Sequence, residues 1–228
     1  MTGIIRLLRL PDLVSILNAS LGFSSLLMAA AGRLELSAAL IFLAVASDGL
    51  DGLLARKVGD GPLGTQIDSL ADLVSFGAAP AFLAWSAFGA ASAPGWGALG
   101  AFYLACGILR LARFNLSPRL LAFEGMPIPG AGGMVAAAVL LAGPLPTALI
   151  LFATSLLMIS SVPYPKFRDP RLFPPVLGLG AAAAAAWALG AVRLSAGIVF
   201  LALAGYLGSP VVMEICRRRG KRPPSRRG

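Results

Sequence analysis

Five of the ten acidic residues, Asp48, Asp51, Asp60, Asp68 and Asp72, lie between positions 48 and 72. Four of them interrupt stretches that are otherwise apolar, where a carboxylate at a helix centre costs about 2.5–3.5 kcal/mol. Such residues should line a polar cavity and meet cations, at a metal site, in structural ion pairs with Arg56, Arg110 and Arg113, or in the ion site of a cation transporter. Asp48 and Asp51 are spaced i, i+3, and Asp68 and Asp72 are spaced i, i+4, so each pair shares one face of a helix. Val58-Gly-Asp-Gly-Pro62 predicts a tight turn between the two helices. Folding them antiparallel about residue 60 sets Asp48 level with Asp72 and Asp51 near Asp68, roughly 10–18 Å from the turn. Four carboxylates and no softer donor suit a hard divalent ion, Mg2+ or Mn2+, and match the charge of two such ions. A pair of these ions commonly stabilises the attacking and leaving oxygens at phosphorus. Arg56, one turn beyond Gly52, is placed to pair with a phosphate, and Gly52 and Ala55 leave room for a ligand against the backbone.

The elements that must hold these residues are membrane helices. The 228 residues are 57% hydrophobic and 13% charged, with a mean hydropathy of +0.83. That composition excludes an ordinary water-soluble globule, a disordered chain and a disulfide scaffold. The expected architecture is an all-α, polytopic helical bundle of about eight spans, drawn at 13–31, 38–57, 64–90, 96–115, 128–143, 146–161, 175–190 and 194–213. The pair of spans around Gly143 to Pro146 would also suit a re-entrant hairpin. Residues 1–12, with Arg6 and Arg9 among leucines and isoleucines and Pro11 after them, predict a short amphipathic interfacial helix. Residues 13–213 form the membrane domain and 214–228 a polybasic tail. Of the 19 lysines and arginines, all but Arg33 and Arg193 fall on the side of the termini, which places both ends in the cytoplasm and the protein in the cell membrane. The net charge of +9 therefore reports topology and contact with anionic lipid, not nucleic acid.

Histidine is absent, which excludes Ser/His/Asp and Cys/His catalysis and imidazole-ligated metals. Cys106, in an apolar run, and Cys216, in the basic tail, form neither a zinc site nor a disulfide framework. Trp85 and Trp96 fit an aromatic belt at the outer boundary. The small residues from Gly178 to Ala186 suit close helix packing and permit a homodimer.

The segment from Asp48 to Asp72 reads D-x-x-D-G-x-x-A-R, seven residues, then G-x-x-x-D-x-x-x-D. It resembles the signature of the CDP-alcohol phosphotransferase family, with one residue fewer than that signature between Arg56 and Gly64. Ser75-Phe-Gly-Ala-Ala-Pro-Ala81, Ala105-Cys-Gly-Ile-Leu-Arg-Leu-Ala-Arg-Phe-Asn115, Glu124-Gly-Met-Pro-Ile-Pro129 and Tyr164-Pro-Lys-Phe167 resemble the branch of CDP-diacylglycerol:serine phosphatidyltransferases. The resemblance spans residues 11 to about 168. It implies a core of about six helices within the bundle. It also implies transfer of a phosphatidyl group from a CDP-linked lipid, either CDP-diacylglycerol or CDP-archaeol, to L-serine with release of CMP and help from Mg2+ or Mn2+, the alternative being another acceptor of the family such as glycerol 3-phosphate or inositol phosphate. Carried over by position, Asp48, Asp51 and Asp68 are metal ligands, and Asp72 is both ligand and general base. Gly52, Ala55, Arg56 and Gly64 hold the CDP moiety. The acceptor pocket must recognise a carboxylate, for which Arg110 and Arg113, spaced i, i+3 near the cytoplasmic end of the fourth span, are the candidates; either could instead bind the lipid phosphate. Ser75, Asn115, Lys166 and Arg168 are candidate assistants. Asn18 is read as a helix cap, a polar helix contact or a neighbour of the cytidine.

Overall fold

The computed structural model describes residues 7–58, 61–89, 94–116, 123–164 and 185–220, with the isolated positions 3, 182 and 183. The chain is a helical bundle: α1 (Leu10–Ala30), α2 (Leu34–Val58), α3 (Gly64–Asp72), a π-helical turn (Leu73–Ala78), α4 (Ala79–Phe88), α5 (Pro94–Leu116), α6 (Ile128–Leu141), α7 (Pro144–Ile159) and α8 (Val192–Gly220). The β structure among the described residues is a two-residue antiparallel pair, Phe123–Glu124 against Pro163–Tyr164.

Among the described residues, three stretches are long and apolar enough to cross a bilayer: Leu10–Ala30, the continuous rod Gly64–Phe88, and Gly95–Leu116. The helices α6, α7 and the first part of α8 are apolar but shorter. Their leucines and phenylalanines turn outward at many positions, including Leu145, Leu149, Phe152 and Leu201, as expected where the surroundings are hydrocarbon. This is an integral membrane protein.

Several boundaries differ from those read in the sequence. The first span begins at Leu10, because Pro11 suits the first turn of a helix and the Arg9 amide donates to Asp12 Oδ2 at 2.7 Å, satisfying one of the free donors at the helix start. Residues 10–12 thus continue into α1; residues 1, 2 and 4–6 lie outside the described residues. The fifth and sixth spans end two residues early, at Leu141 and Ile159, and Pro144 starts α7 directly after Gly143. The basic tail opens as a continuation of α8 to Gly220, and residues 221–228 lie outside the described residues. Half of the expected span 175–190, residues 175–181 and 184, lies there too.

The helix at the centre is α6. Every residue from Gly130 to Val139 is buried, the pattern of a helix enclosed on all sides by other helices, and it packs against α2, α4, α7 and α8. Its glycines permit this. A Cβ on Gly132 would lie 2.9 Å from the Phe76 Cα, so only a residue without a side chain lets α6 approach the π turn. Gly22 does the same from α1, where a Cβ would overlap the Ser75 backbone. Close packing through small residues is the main cohesion available to helices in a bilayer, where burial from water no longer drives association. Cys106 is buried in the core, as its apolar surroundings predict.

Candidate active site

The site is assembled by α2 and the rod that comes after it. Asp48 on α2 and Asp68 and Asp72 on α3 each offer a carboxylate oxygen, and these oxygens lie within 4.8 Å of one another. Asp72 is buried, while Asp48 and Asp68 are partly exposed. Asp48, Asp68 and Asp72 are thus brought together, and α1, which packs against both α2 and α3, lies beside the two helices that carry them. The side chains of Asp51, Gly52, Ala55 and Arg56 lie outside the described residues, although their backbone is helical within α2. Gly64 is the first residue of α3.

The turn between the two helices is held by α1. A Cβ on Gly61 would lie 2.7 Å from Asp12 Oδ2 and 3.3 Å from the Leu7 carbonyl, so the loop rests on the helix start that Asp12 organises. Two residues further along α1, Ser47 Oγ donates to the Val14 carbonyl at 3.4 Å, fixing the residue beside Asp48. Ser75 Oγ then donates to the Asn18 carbonyl at 2.8 Å, fixing the turn after Asp72. A single buried stripe of α1, through Asp12, Ser15, Asn18 and Gly22, thus aligns both carboxylate-bearing helices.

Asn18 is fully buried, and neither atom of its side-chain amide has a hydrogen-bond partner among the described residues. A buried amide in that state costs roughly 1–3 kcal/mol, so it marks a position for water or a ligand group that both donates and accepts. Of the three roles open to Asn18 in the sequence, capping is excluded by its place in mid-helix.

The two arginines separate in role. Arg110 is buried; its Nε donates to the Met126 carbonyl at 2.8 Å, and its charge interacts with Asp72 and Asp48. Arg113 turns the other way, its Nη2 donating to the carbonyls of Met158 and Ser160 at 3.2 and 3.1 Å. It neutralises the carbonyl end of α7, where a cation is favoured by the helix dipole. The same loop is closed by the Met126 amide on the Leu157 carbonyl and the Gly125 amide on the Val162 carbonyl. Asn115 Oδ1 accepts from Ser69 Oγ at 3.2 Å, linking α5 to α3 beside Asp68. Lys166 and Arg168 lie outside the described residues.

Chemically, the three carboxylates fit a divalent cation. Two oxygens on opposite sides of an ion, each about 2.1–2.5 Å from it, are about 4.2–5 Å apart, which matches the observed cluster without backbone movement. Three carboxylates against one guanidinium also carry the net negative charge that such an ion would neutralise. Residues 8–199 match the family model of CDP-alcohol phosphatidyltransferases. The chain belongs to that family. Among relatives, it is 43% identical to the archaetidylserine synthase of Methanothermobacter thermautotrophicus over 69% of this chain and 70% of that protein. It is 36% identical to the CDP-diacylglycerol--serine O-phosphatidyltransferase of Methanocaldococcus jannaschii, over 74% of this chain and 80% of the relative. With the Bacillus subtilis protein of the latter name it shares 39% identity over 56% of this chain and 73% of that one. In this member of the family, the aspartate cluster is the part of the described structure able to hold a metal ion.

Proposed function

We propose that this membrane enzyme transfers the phosphatidyl or archaetidyl group of a CDP-linked lipid to the hydroxyl of L-serine, releasing CMP. The observation that carries the reading is the Asp48, Asp68 and Asp72 cluster, set in a chain whose relatives are named for this transfer to serine.

The serine oxygen attacks the phosphorus that bears the lipid, the bond from that phosphorus to the CMP oxygen breaks, and the hydroxyl proton passes to the Asp72 carboxylate. A free carboxylate, with a pKa near 4, is a weak base for an alcohol, so Asp72 would take the proton only where a cation held nearby acidified the hydroxyl. Asp48, Asp68 and Asp72, with Asp51, would hold Mg2+ or Mn2+, two ions by their charge, and the chemistry such ions would supply is acidification of the hydroxyl and neutralisation of the phosphate oxygens. Gly52, Ala55, Arg56 and Gly64 hold the CDP moiety, and the Asn18 amide offers a donor and an acceptor to the donor nucleotide. Arg110 is the group for the serine carboxylate, since Arg113 is engaged at the end of α7. Its Nε bond to Met126 fixes the plane of the fork, leaving the Nη groups to face the anion.

The same reading places the site in the cytoplasmic half of the cell membrane, both termini in the cytoplasm, residues 1–12 at the interface and the tail 214–228 against anionic lipid. The small residues between Gly178 and Ala186 would permit a homodimer. The test is CMP release by purified protein in detergent given CDP-diacylglycerol or CDP-archaeol with serine, glycerol 3-phosphate or inositol phosphate. Serine-dependent release that EDTA abolishes is the expected result. Release with another acceptor alone would overturn the substrate, and no release with either lipid would overturn the activity.

A further inference from the structure

Directly after Asp72 the helix widens. The Ala79 amide donates to the Val74 carbonyl five residues back, and Leu73–Ala78 forms a π turn between α3 and α4. The widening has a cause in the sequence. Pro80 has no N–H to give to the carbonyl four residues before it, and its ring would collide with that carbonyl in an α-helix. The carbonyl concerned is that of Phe76, and it receives the hydroxyl of Tyr103, a fully buried residue of α5, at 2.9 Å. The turn is also held on its other flanks, by Ser75 on the Asn18 carbonyl and by Gly132 of α6 against Phe76.

The rotational consequence bears on the site. In an unbroken α-helix Asp72 would lie on one stripe with Phe76, Ala79 and Leu83, all of which are fully buried in the apolar core. One extra residue in the turn rotates α3 by about 100° relative to α4. Asp72 is thereby turned off the apolar stripe and towards Asp48 and Asp68 while Phe76, Ala79 and Leu83 keep their packing.

We propose that Pro80, the Phe76 carbonyl and the Tyr103 hydroxyl form a register lock that sets the rotation of Asp72, making Tyr103 a positioning residue for the metal site. The proposal rests on the reading of Asp72 as a metal ligand.

The test is Mn2+ binding to the purified protein in detergent, followed by electron paramagnetic resonance of the free ion, beside thermal unfolding of the same samples. Asp72→Asn is the control and should weaken binding. Tyr103→Phe should weaken it about tenfold, the scale of losing a group that orients a ligand, and lower the unfolding temperature. The decisive variant is Tyr103→Phe combined with Pro80→Ala, in which residue 80 gains an N–H that can bond the Phe76 carbonyl in α register. Its unfolding temperature should recover while Mn2+ binding stays weak, because the helix has slipped out of register. Recovery of both together, or normal binding in Tyr103→Phe, would overturn the lock and make Tyr103 a packing residue only. If Tyr103→Phe does not fold, Pro80→Ala alone carries the test: weaker Mn2+ binding without loss of thermal stability supports the lock, and unchanged binding overturns it. Failure of the wild type to bind Mn2+, or Asp72→Asn binding as tightly as the wild type, would overturn the reading of the site itself and the lock with it.

Discussion

The two ends of the rod Gly64–Phe88 obey different rules. At its start, α3 exposes Thr65, Gln66 and Leu70 and buries only Ala71 and Asp72. At its far end, α4 buries Ala79, Pro80, Ala81, Leu83 and Ala84 against neighbouring helices, and aromatic residues pair there, Phe82 with Trp85 and Phe88 with Trp96. One end is organised around charge that must be matched, and the other around shape that must be filled. A continuous α-helix would impose one buried stripe on both. The π turn lets each end choose its own face. A membrane helix can therefore carry ionised ligands without disturbing the packing beyond them, provided its register breaks between the two.

Five substitutions probe that contrast. The largest effect belongs to the charged end: Asp72→Asn should reduce CMP release by about 100-fold or more, with thermal stability kept, since the amide fills the same space but supplies neither the charge nor the base. An unaltered turnover rate would remove Asp72 from the chemistry. Next comes the packed side of the turn. Gly132→Leu forces a side chain into the Phe76 backbone and should destabilise the bundle by about 1–3 kcal/mol, read as a lower unfolding temperature in detergent.

The same division recurs on α5, one turn apart. Arg110→Lys keeps a charge but loses the planar fork, and the serine KM should rise about tenfold at a similar unfolding temperature. Arg113→Lys should do the reverse, lowering the unfolding temperature and leaving the serine KM in place, because its partners are the carbonyls at the end of α7. Equal effects of the two on KM would erase the separation. The smallest effect is expected at Leu70, which is 66% exposed on α3. Leu70→Ala, which deletes an outward apolar side chain without adding a polar one, should shift stability by less than about 0.5 kcal/mol and leave CMP release unchanged.

Much of the carboxylate cluster is legible in the amino-acid sequence, because i, i+3 and i, i+4 spacings are short-range facts and an aspartate in an apolar run needs a reason. The helical class and the positions of most spans are legible on similar grounds, since hydropathy over twenty residues needs no knowledge of neighbours. Arg113 is not. Its partners come from a helix more than forty residues away, and an arginine near a span end reads alike whether it binds an anion, a headgroup or a carbonyl. Asn18 stands out in the sequence only as a polar residue in an apolar run, and its buried, unpartnered amide emerges once α1 is packed against the π turn. Pro80 sits within a recognised motif, yet its effect on the Phe76 carbonyl depends on a hydroxyl that α5 brings from Tyr103.

Composition and periods shorter than two helical turns were enough to establish that this chain lives in a membrane as helices. They also established that two consecutive helices present carboxylates on matching faces, and that the chemistry must use oxygen ligands and arginine. Which arginine lies by the carboxylates, and which neighbours hold the turn after Asp72, came from the packed bundle alone. Each of these depends on close approach between distant helices, at Gly22, at Gly132 and at the Tyr103 hydroxyl, and close approach is a property of tertiary packing that no local spacing encodes.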